Sequence, residues 1–534
     1  MGRLKRRAAP GSGSALAGPP AGPPRSWPVL TAVGVGIAAA LALVTVTVQP
    51  GVYFSGDGGL KALATRMHAE GRAAALAFPA PPWARGAWDR GLFPFGPPFA
   101  YPVEGRPILA FPPLYSVLAA PFYAAFGEPG LYVLSLAGFA ACLLALAWLS
   151  RQQGYTASGT AIAILATALA SPLLPYAAIF WEHAPATALA ALALALLLSD
   201  KAWHQASSGL AALLAAALRP ELGLFEAICG LSLLAMRPTL LSRARLARFA
   251  AGALAGACVV GALNIGLTGH LLGLHGKQVD LGSALAGASA RRLALSANLV
   301  ESFPLALCGF LLWLSPSHRS LALPRRLFVS AVAFTVIAPW MLPNDGGLQF
   351  GPRYLLAWVP VTGLALAALV SRAWDPGASR PFRALLALAT AAGMAWGVWV
   401  NVRNGKTLAG NYSRATLPAL EFLRRRPEPL VVVTHQWSAQ ELTSLIPSKV
   451  FFRVQGLDGL VYIDEDPDPA PLGDQIAALL VSLRQAGLDE FVLVARKDQR
   501  IPRQVTAPNG AIRFHPIITL GAFDLYRGSR WPRG

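Results

Sequence analysis

Apolar runs of membrane-crossing length recur along this chain from Pro28 to Val402, separated by short polar or proline-rich connections. Inside hydrocarbon every backbone N–H and C=O must be satisfied within the protein, and only helices or a closed barrel achieve that. Runs of about twenty residues select helices, so the chain reads as a polytopic α-helical membrane protein. Composition agrees, since 54% hydrophobic and 13% charged residues exclude an ordinary soluble globular protein. The formal charge of +19 would suit a nucleic-acid binder. Here, however, the basic residues sit in short clusters between apolar runs, which is how topology signals and lipid-phosphate contacts are distributed. Membrane lipids are therefore expected as partners and nucleic acid is not. Cys142, Cys229, Cys258 and Cys308 fall in apolar segments without paired spacing, so neither a disulfide framework nor a zinc site is indicated.

Residues 1–27 read as a disordered cytoplasmic tail, and Pro28–Val48 as a first helix running outward and left uncleaved. A long first outer loop, 50–129, follows. Within it Phe111–Phe126 is expected not to cross the bilayer, because 16 residues interrupted by Pro112, Pro113 and Pro121 reach only ~24 Å against ~30 Å of hydrocarbon. Charge supports that choice. Short inner loops then hold twelve basic residues, namely Arg151, Lys201, Arg237, Arg243, Arg245, Arg248, Arg319, Arg325, Arg326, Arg372, Arg380 and Arg383. The short outer connections hold five: Arg219, Lys277, Arg291, Arg292 and Arg353. This satisfies the positive-inside rule and gives about 11 transmembrane helices, with the later ten near 130–150, 158–179, 184–199, 204–218, 221–236, 247–268, 295–314, 326–342, 353–371 and 382–402. The transmembrane domain is thus 28–402. Beyond it, 405–534 reads as a small extracytoplasmic α/β domain, with strands at Leu430–His435, Lys449–Val454 and Glu490–Ala495, a helix at Asp474–Ala486, and a final strand or hairpin in Ala511–Arg527.

With orientation set by charge, the unusual polar clusters all fall on the outer face. They are Gly56-Asp57-Gly58-Gly59, Trp181-Glu182-His183, Arg219-Pro220-Glu221, His275-Gly276-Lys277-Gln278, and Asn344-Asp345 through Arg353-Tyr354. The glycines around Asp57 let the backbone turn sharply and come close to a ligand, and Leu60–Gly71 reads as a short amphipathic helix that Asp57 would N-cap if it had no other task. Arg219 sits at the apex of two short helices, facing protein, with Glu226 as a candidate ion partner.

This layout resembles the GT-C superfamily, the membrane glycosyltransferases that use polyprenyl-phosphate sugars, and within it the branch of protein O-mannosyltransferases and the lipid A aminoarabinose transferase. The first outer loop opens with an acid, Asp57; a juxtamembrane Pro112-Pro113-Leu114-Tyr115 follows; the second outer loop carries Glu182-His183; and Phe350–Leu355 reads Phe-Gly-Pro-Arg-Tyr-Leu. The resemblance implies an inverting glycosyltransferase in a bacterial-type cytoplasmic membrane, with its site on the outer side. The donor would be a polyprenyl-phosphate-linked sugar and the acceptor a lipid, a glycan or a protein. Asp57 would be the general base, with Glu182 as the other candidate carboxylate. Arg353 and Arg219 would bind the donor phosphate, because guanidinium groups take phosphate oxygens bidentately; Lys277, His183, Tyr354 and Tyr115 would complete the substrate site. Phe111 stands where many relatives carry His or Lys, and no Asp-X-Asp occurs in the first outer loop. No cofactor is certain, and a divalent metal stays open. Two other readings compete: a lipid or polysaccharide transporter, and a non-catalytic relative serving as a binding or assembly subunit.

Overall fold

The computed structural model describes residues 26–72, 81–236, 242–274, 287–314, 319–342, 350–459, 470–497 and 499–531. Helices dominate up to residue 425. Among the described residues five helical segments are long and apolar enough by themselves to cross a membrane, six if one bent pair counts as a single span. The multi-pass membrane character expected from the apolar runs is thereby present. Shorter apolar helices, among them Ala157–Ala170, His183–Leu197 and Trp358–Ala373, fill the remaining positions.

The helices relevant to the site are α1 (Trp27–Thr47), α2 (Gly56–Ala69), α3 (Pro82–Ala87), α4 (Pro113–Phe126), α5 (Val133–Gln152), α6 (Ala157–Ala170), α7 (Leu173–Ala177), α8 (His183–Leu197), α9 (Ala202–Leu218), α10 (Pro220–Met236) and α11 (Arg243–Thr268). Then come α12 (Ala288–Ser302), α13 (Ala322–Ile337), α14 (Trp358–Ala373) and α15 (Arg380–Gly410).

Two of the expected spans are broken, and proline explains both. The helix expected over 158–179 stops at Ser171, before Pro172, and resumes as α7. The one expected over 295–314 bends by 92° between α12 and the 3-10 segment Pro304–Trp313. Pro304 has no N–H to continue the helix and disfavours a helical residue before it, so Phe303 adopts φ −145° and ψ 63°. A helix ended inside the bundle leaves carbonyls without partners. At the first break Asn401 of α15 supplies them, its Nδ2 donating to Leu169 O at 2.8 Å and Ser171 O at 3.0 Å. That helix runs about two turns past its expected end at 402.

The sheet domain has strands β3 (Leu430–Val433), β4 (Val450–Arg453), β5 (Glu490–Arg496), β6 (Gln504–Ala507), β7 (Gly510–Leu520) and β8 (Phe523–Trp531) in the order β4-β3-β5-β8-β7-β6; β1 (Ala100–Val103) and β2 (Arg106–Leu109) form a hairpin in the first loop. Strands β4, β3 and β5 are parallel, and the remainder pairs antiparallel. Alternate side chains serve two cores. Val431, Val433, Val492 and Val494 join the apolar core that continues through the membrane helices, whereas Leu430, Val432, Phe452 and Leu493 pack under α18 (Leu472–Ala486) and α3.

The sheet domain grips the first loop. Thr443 Oγ1 donates to Gly59 O at 3.1 Å, Gly96 N donates to Gln436 Oε1 at 2.8 Å, and Trp88 Nε1 donates to Phe451 O at 3.1 Å. Here the glycines of the Asp57 stretch have a different purpose from the one expected. None of Gly56, Gly58 or Gly59 has positive φ. Instead Gly56 and Gly59 let α2 touch α17 (Gln436–Glu441): a methyl group on either would collide with Gln440.

Candidate active site

The α2 helix begins earlier than its pattern suggested, at Gly56, and Ser55 is its N-cap, the Oγ accepting from Gly58 N at 3.4 Å. Asp57 therefore does not cap the helix. It occupies the first turn, where the helix dipole favours a carboxylate, is half-buried, and makes no hydrogen bond or ion pair with the described residues. Next to it, Gly58 packs against the connection between α7 and α8; a methyl group there would meet Trp181 Nε1 at 3.6 Å.

One turn further along α2, and so on the same helix face as Asp57, is Lys61. Its ammonium donates to Glu182 Oε2 at 2.5 Å, with both residues 5% exposed. Glu182 lies in the turn before α8, and its second oxygen accepts from Arg219 Nη1 at 3.2 Å. Arg219 also pairs with Glu221 Oε1 at 2.6 Å. Glu226, the partner expected from the sequence, is not bonded to Arg219; it lies inside α10 with Oε1 buried and unbonded among the described residues. Burial alone would raise the Glu182 carboxyl. The positive charges of its ion-pair partners Lys61 and Arg219 outweigh it and hold the group well below the usual carboxylate range.

Arg353 arrives from a third connection, in the short 3-10 turn Arg353–Leu355 ahead of α14. Its Nη2 donates to Tyr354 OH at 2.9 Å, and its guanidinium lies 4.8 Å from the Tyr354 ring centre and 5.8 Å from that of Trp181. Arg219 lies 5.3 Å from the Tyr354 ring centre, so Tyr354 adjoins both guanidinium groups. Aromatic contacts join the three connections: Phe54 meets Trp181 edge-on at 5.8 Å and stacks on Phe350 at 4.8 Å.

A second feature adjoins these charges. The His183 ring stacks on Tyr176 at 4.8 Å and leans on Trp181 at 5.0 Å. Both His183 ring nitrogens, Trp181 Nε1, Tyr176 OH and Arg353 Nε are buried and lack a hydrogen-bond partner among the described residues. Buried polar atoms are nearly always paired, so five unpaired in one neighbourhood mark a place prepared for a polar ligand.

Of the expected site residues, Glu182, His183, Arg219, Arg353 and Tyr354 come together, and Asp57 precedes Gly58, which packs on Trp181. Tyr115 lies nearby, its ring 5.0 Å from Phe180, but its hydroxyl bonds Ser135 Oγ at 2.9 Å. Lys277 and His275 lie outside the described residues, as do Asn344 and Asp345. Lys61, Trp181 and Tyr176 are additions that sequence reasoning assigned no role. A lone lysine between Leu60 and Ala62, on a helix already suspected for Asp57, was the available signal. Among the described residues no group of three or more His, Cys, Asp or Glu is placed to hold a metal ion; His275 and Asp345 lie outside them.

No family model and no curated protein matches the sequence. Solved structures do. The chain is similar to ArnT from Cupriavidus metallidurans in the apo state, at 14% identity over 93% of this chain and 98% of that one, with a TM-score of 0.50. It is similar also to the apo oligosaccharyltransferase of Archaeoglobus fulgidus, at 13% identity over 88% of this chain and 70% of that one, with a TM-score of 0.53. The same enzyme tethered to an acceptor peptide containing the NVT sequon gives 13% identity, coverages of 88% and 69%, and a TM-score of 0.51. At such identities the likeness is one of fold: a bundle of apolar helices followed by a C-terminal sheet region, as the sequence led one to expect.

Proposed function

We propose that this chain is an inverting glycosyltransferase that moves a sugar from a polyprenyl-phosphate carrier to a hydroxyl of a lipid, glycan or protein acceptor at the outer face of a cytoplasmic membrane. The observation that carries this reading is the junction of the first turn of α2 with the unpaired polar atoms of Arg353, His183, Trp181 and Tyr176. Asp57 is the general base. It is the carboxylate whose lone pairs are not engaged by the described cations, and it sits in a loop-borne helix beside the cluster. As the acceptor oxygen attacks the sugar's anomeric carbon, Asp57 takes its proton and the carbon–oxygen bond to the carrier phosphate breaks. Charge then grows on the departing phosphate, where Arg353 stabilises it with a guanidinium already held against two aromatic rings. Lys61 and Arg219 are fixed by Glu182 and keep the local potential positive. Three cations against two buried carboxylates favour an anionic ligand. No step is routed through a metal.

Purified protein supplied with a radiolabelled polyprenyl-phosphate sugar tests the reading, and Asp57→Asn is the decisive variant. Asn suits a first-turn position nearly as well, so stability should hold while transfer falls by on the order of 10²-fold or more and donor binding remains. Full transfer by Asp57→Asn removes Asp57 from the chemistry. Donor binding without transfer in the unmodified protein would favour the assembly-subunit reading, and carrier translocation without transfer would favour the transporter. The outward orientation is tested separately: a reporter active only outside the cytoplasm should work when fused after Arg426 and fail when fused near Arg245.

A further inference from the structure

An open cavity of about 580 Å³ lies where α15 meets the sheet, away from the Glu182 cluster. It is on the same side of the membrane, because Gly405 of α15 packs against Leu43 near the end of α1 that leads into α2. Arg403, Lys406, Asn411 and Arg414 line one side. The other side is Gly521-Ala522, the turn between β7 and β8, which is pinned in place by Ala522 N donating to Ala415 O at 2.9 Å. Gly410 keeps the space open, since nothing lies within 4 Å of where a Cβ would be.

Depth along α15 indicates what the cavity meets. Positions 396, 399, 403, 406 and 410 follow the three-and-four spacing of one helix face. Trp396 and Trp399, 46% and 51% exposed, therefore lie on that face one to two turns before the basic residues. Exposed tryptophans near the end of a membrane helix sit at headgroup level. The cavity consequently opens where lipid phosphates are found. Its charge is one-sided, with three cations and no acidic residue among the lining. Arg403 shares a 3.2 Å contact with Glu301, but both side chains are about half exposed, so the pair leaves most of the positive potential in place. Lys406 and Arg414 form no ion pair with the described residues.

We infer that this cavity binds the phosphate of an anionic bilayer-lipid headgroup in the leaflet that faces the sheet domain. The site is separate from the sugar-transfer reading and stands or falls without it. A headgroup phosphate would lie among Arg403, Lys406 and Arg414, with its acyl chains running back along Trp396 and Trp399.

The test measures binding of fluorescent phosphatidylglycerol to the full-length protein in neutral detergent, with phosphatidylcholine and inorganic phosphate as competitors. Each basic residue near an anionic lipid contributes about fivefold. The triple variant Arg403→Gln/Lys406→Gln/Arg414→Gln should therefore weaken phosphatidylglycerol at least about tenfold. A triple with the same charge loss elsewhere on the exposed surface of the sheet domain, Arg484→Gln/Arg500→Gln/Arg503→Gln, should change it little. Gly410→Leu fills the cavity without altering charge and should weaken binding also; it remains decisive if the basic triple does not fold. Equal competition by phosphatidylcholine, equal loss in the surface triple, or full binding by Gly410→Leu would each overturn the proposal. Complete displacement by millimolar inorganic phosphate would overturn the lipid source and make this a site for a soluble phosphate.

Discussion

The Glu182 side and the Arg353 side of the candidate site are built from the same kinds of residue, yet they differ in one respect. Around Glu182 both carboxylate oxygens are taken, by Lys61 and Arg219, and Arg219 is bonded again to Glu221. Around Arg353 the aromatic contacts are complete, but the guanidinium Nε, the imidazole nitrogens of His183, the indole N–H of Trp181 and the hydroxyl of Tyr176 are unpaired among the described residues. A charge withdrawn from water costs several kcal/mol unless paired, so the first arrangement holds three connections in one geometry. The second keeps unfilled hydrogen-bonding capacity where that geometry can aim it. The difference separates residues that build the site from residues that meet the substrate, and it assigns Glu182 and Asp57 to opposite roles although both are acids in connections between apolar helices.

Breaking the paired side should have the largest effect. Glu182→Gln leaves Lys61 and Arg219 with an uncharged partner in a buried setting, and removing one member of such a pair costs roughly 3–5 kcal/mol. Thermal unfolding of the purified variant in one detergent should show a marked loss, with activity falling alongside it. Adding Lys61→Met should recover part of that loss, because the uncompensated ammonium is gone. A Glu182→Gln protein as stable as the parent but inactive would reverse the comparison and make Glu182 the reacting group.

Part of this cluster is legible in the sequence, and the reason is electrostatic. The excess of Arg and Lys in one set of short connections groups the Asp57, Glu182, Arg219 and Arg353 clusters in the other set, and in the structure Glu182, Arg219 and Arg353 are neighbours. Pairing within the cluster was not legible. Arg219 has Glu182, Glu221 and Glu226 within reach of a sequence argument, and only three-dimensional placement selects the first two over the third. Lys61 was overlooked because a lone lysine in a short amphipathic helix resembles an interfacial anchor. The glycines beside Asp57 are permissive for ligand and for protein alike, and it was the position of Gln440 that decided between them. Helix breaks at Pro172 and Pro304 were stated in the sequence itself, but apolar length masked them.

A smaller effect sharpens the unpaired side. Arg353→Lys retains the charge and loses the planar fork that stacks near Tyr354 and Trp181. If the phosphate contact is bidentate, turnover should drop by roughly 10-fold or more, about 1.4 kcal/mol in barrier height. Stability should hardly move, in contrast to Glu182→Gln. An Arg353→Lys enzyme of full activity, with Arg353→Ala merely unstable, would place Arg353 among the residues that build the site.

The smallest expected effect is an absence of pH response, and it bears most directly on which acid reacts. Burial would raise the Glu182 carboxyl, but its ion-pair partners Lys61 and Arg219 together hold it below the ordinary range. Its folded-state pKa is thus lower than the value of about 4.3 it has when unfolded. A depressed carboxyl contributes stability that is fully present above the unfolded pKa and is lost as pH falls through the folded one. Between pH 5 and 8, therefore, the Glu182 contribution should stay constant, and it should begin to disappear only below about pH 4. Unfolding temperatures recorded from pH 3 to pH 8 should differ between parent and Glu182→Gln by a constant amount across the neutral range, with an acid limb that is shallower in Glu182→Gln. A parent stability that changes through pH 5–7, with that change missing from Glu182→Gln, would mean that Glu182 exchanges its proton near neutrality. Glu182 would then be available as the base, and the separation of roles between the two sides of the site would fail at its central residue.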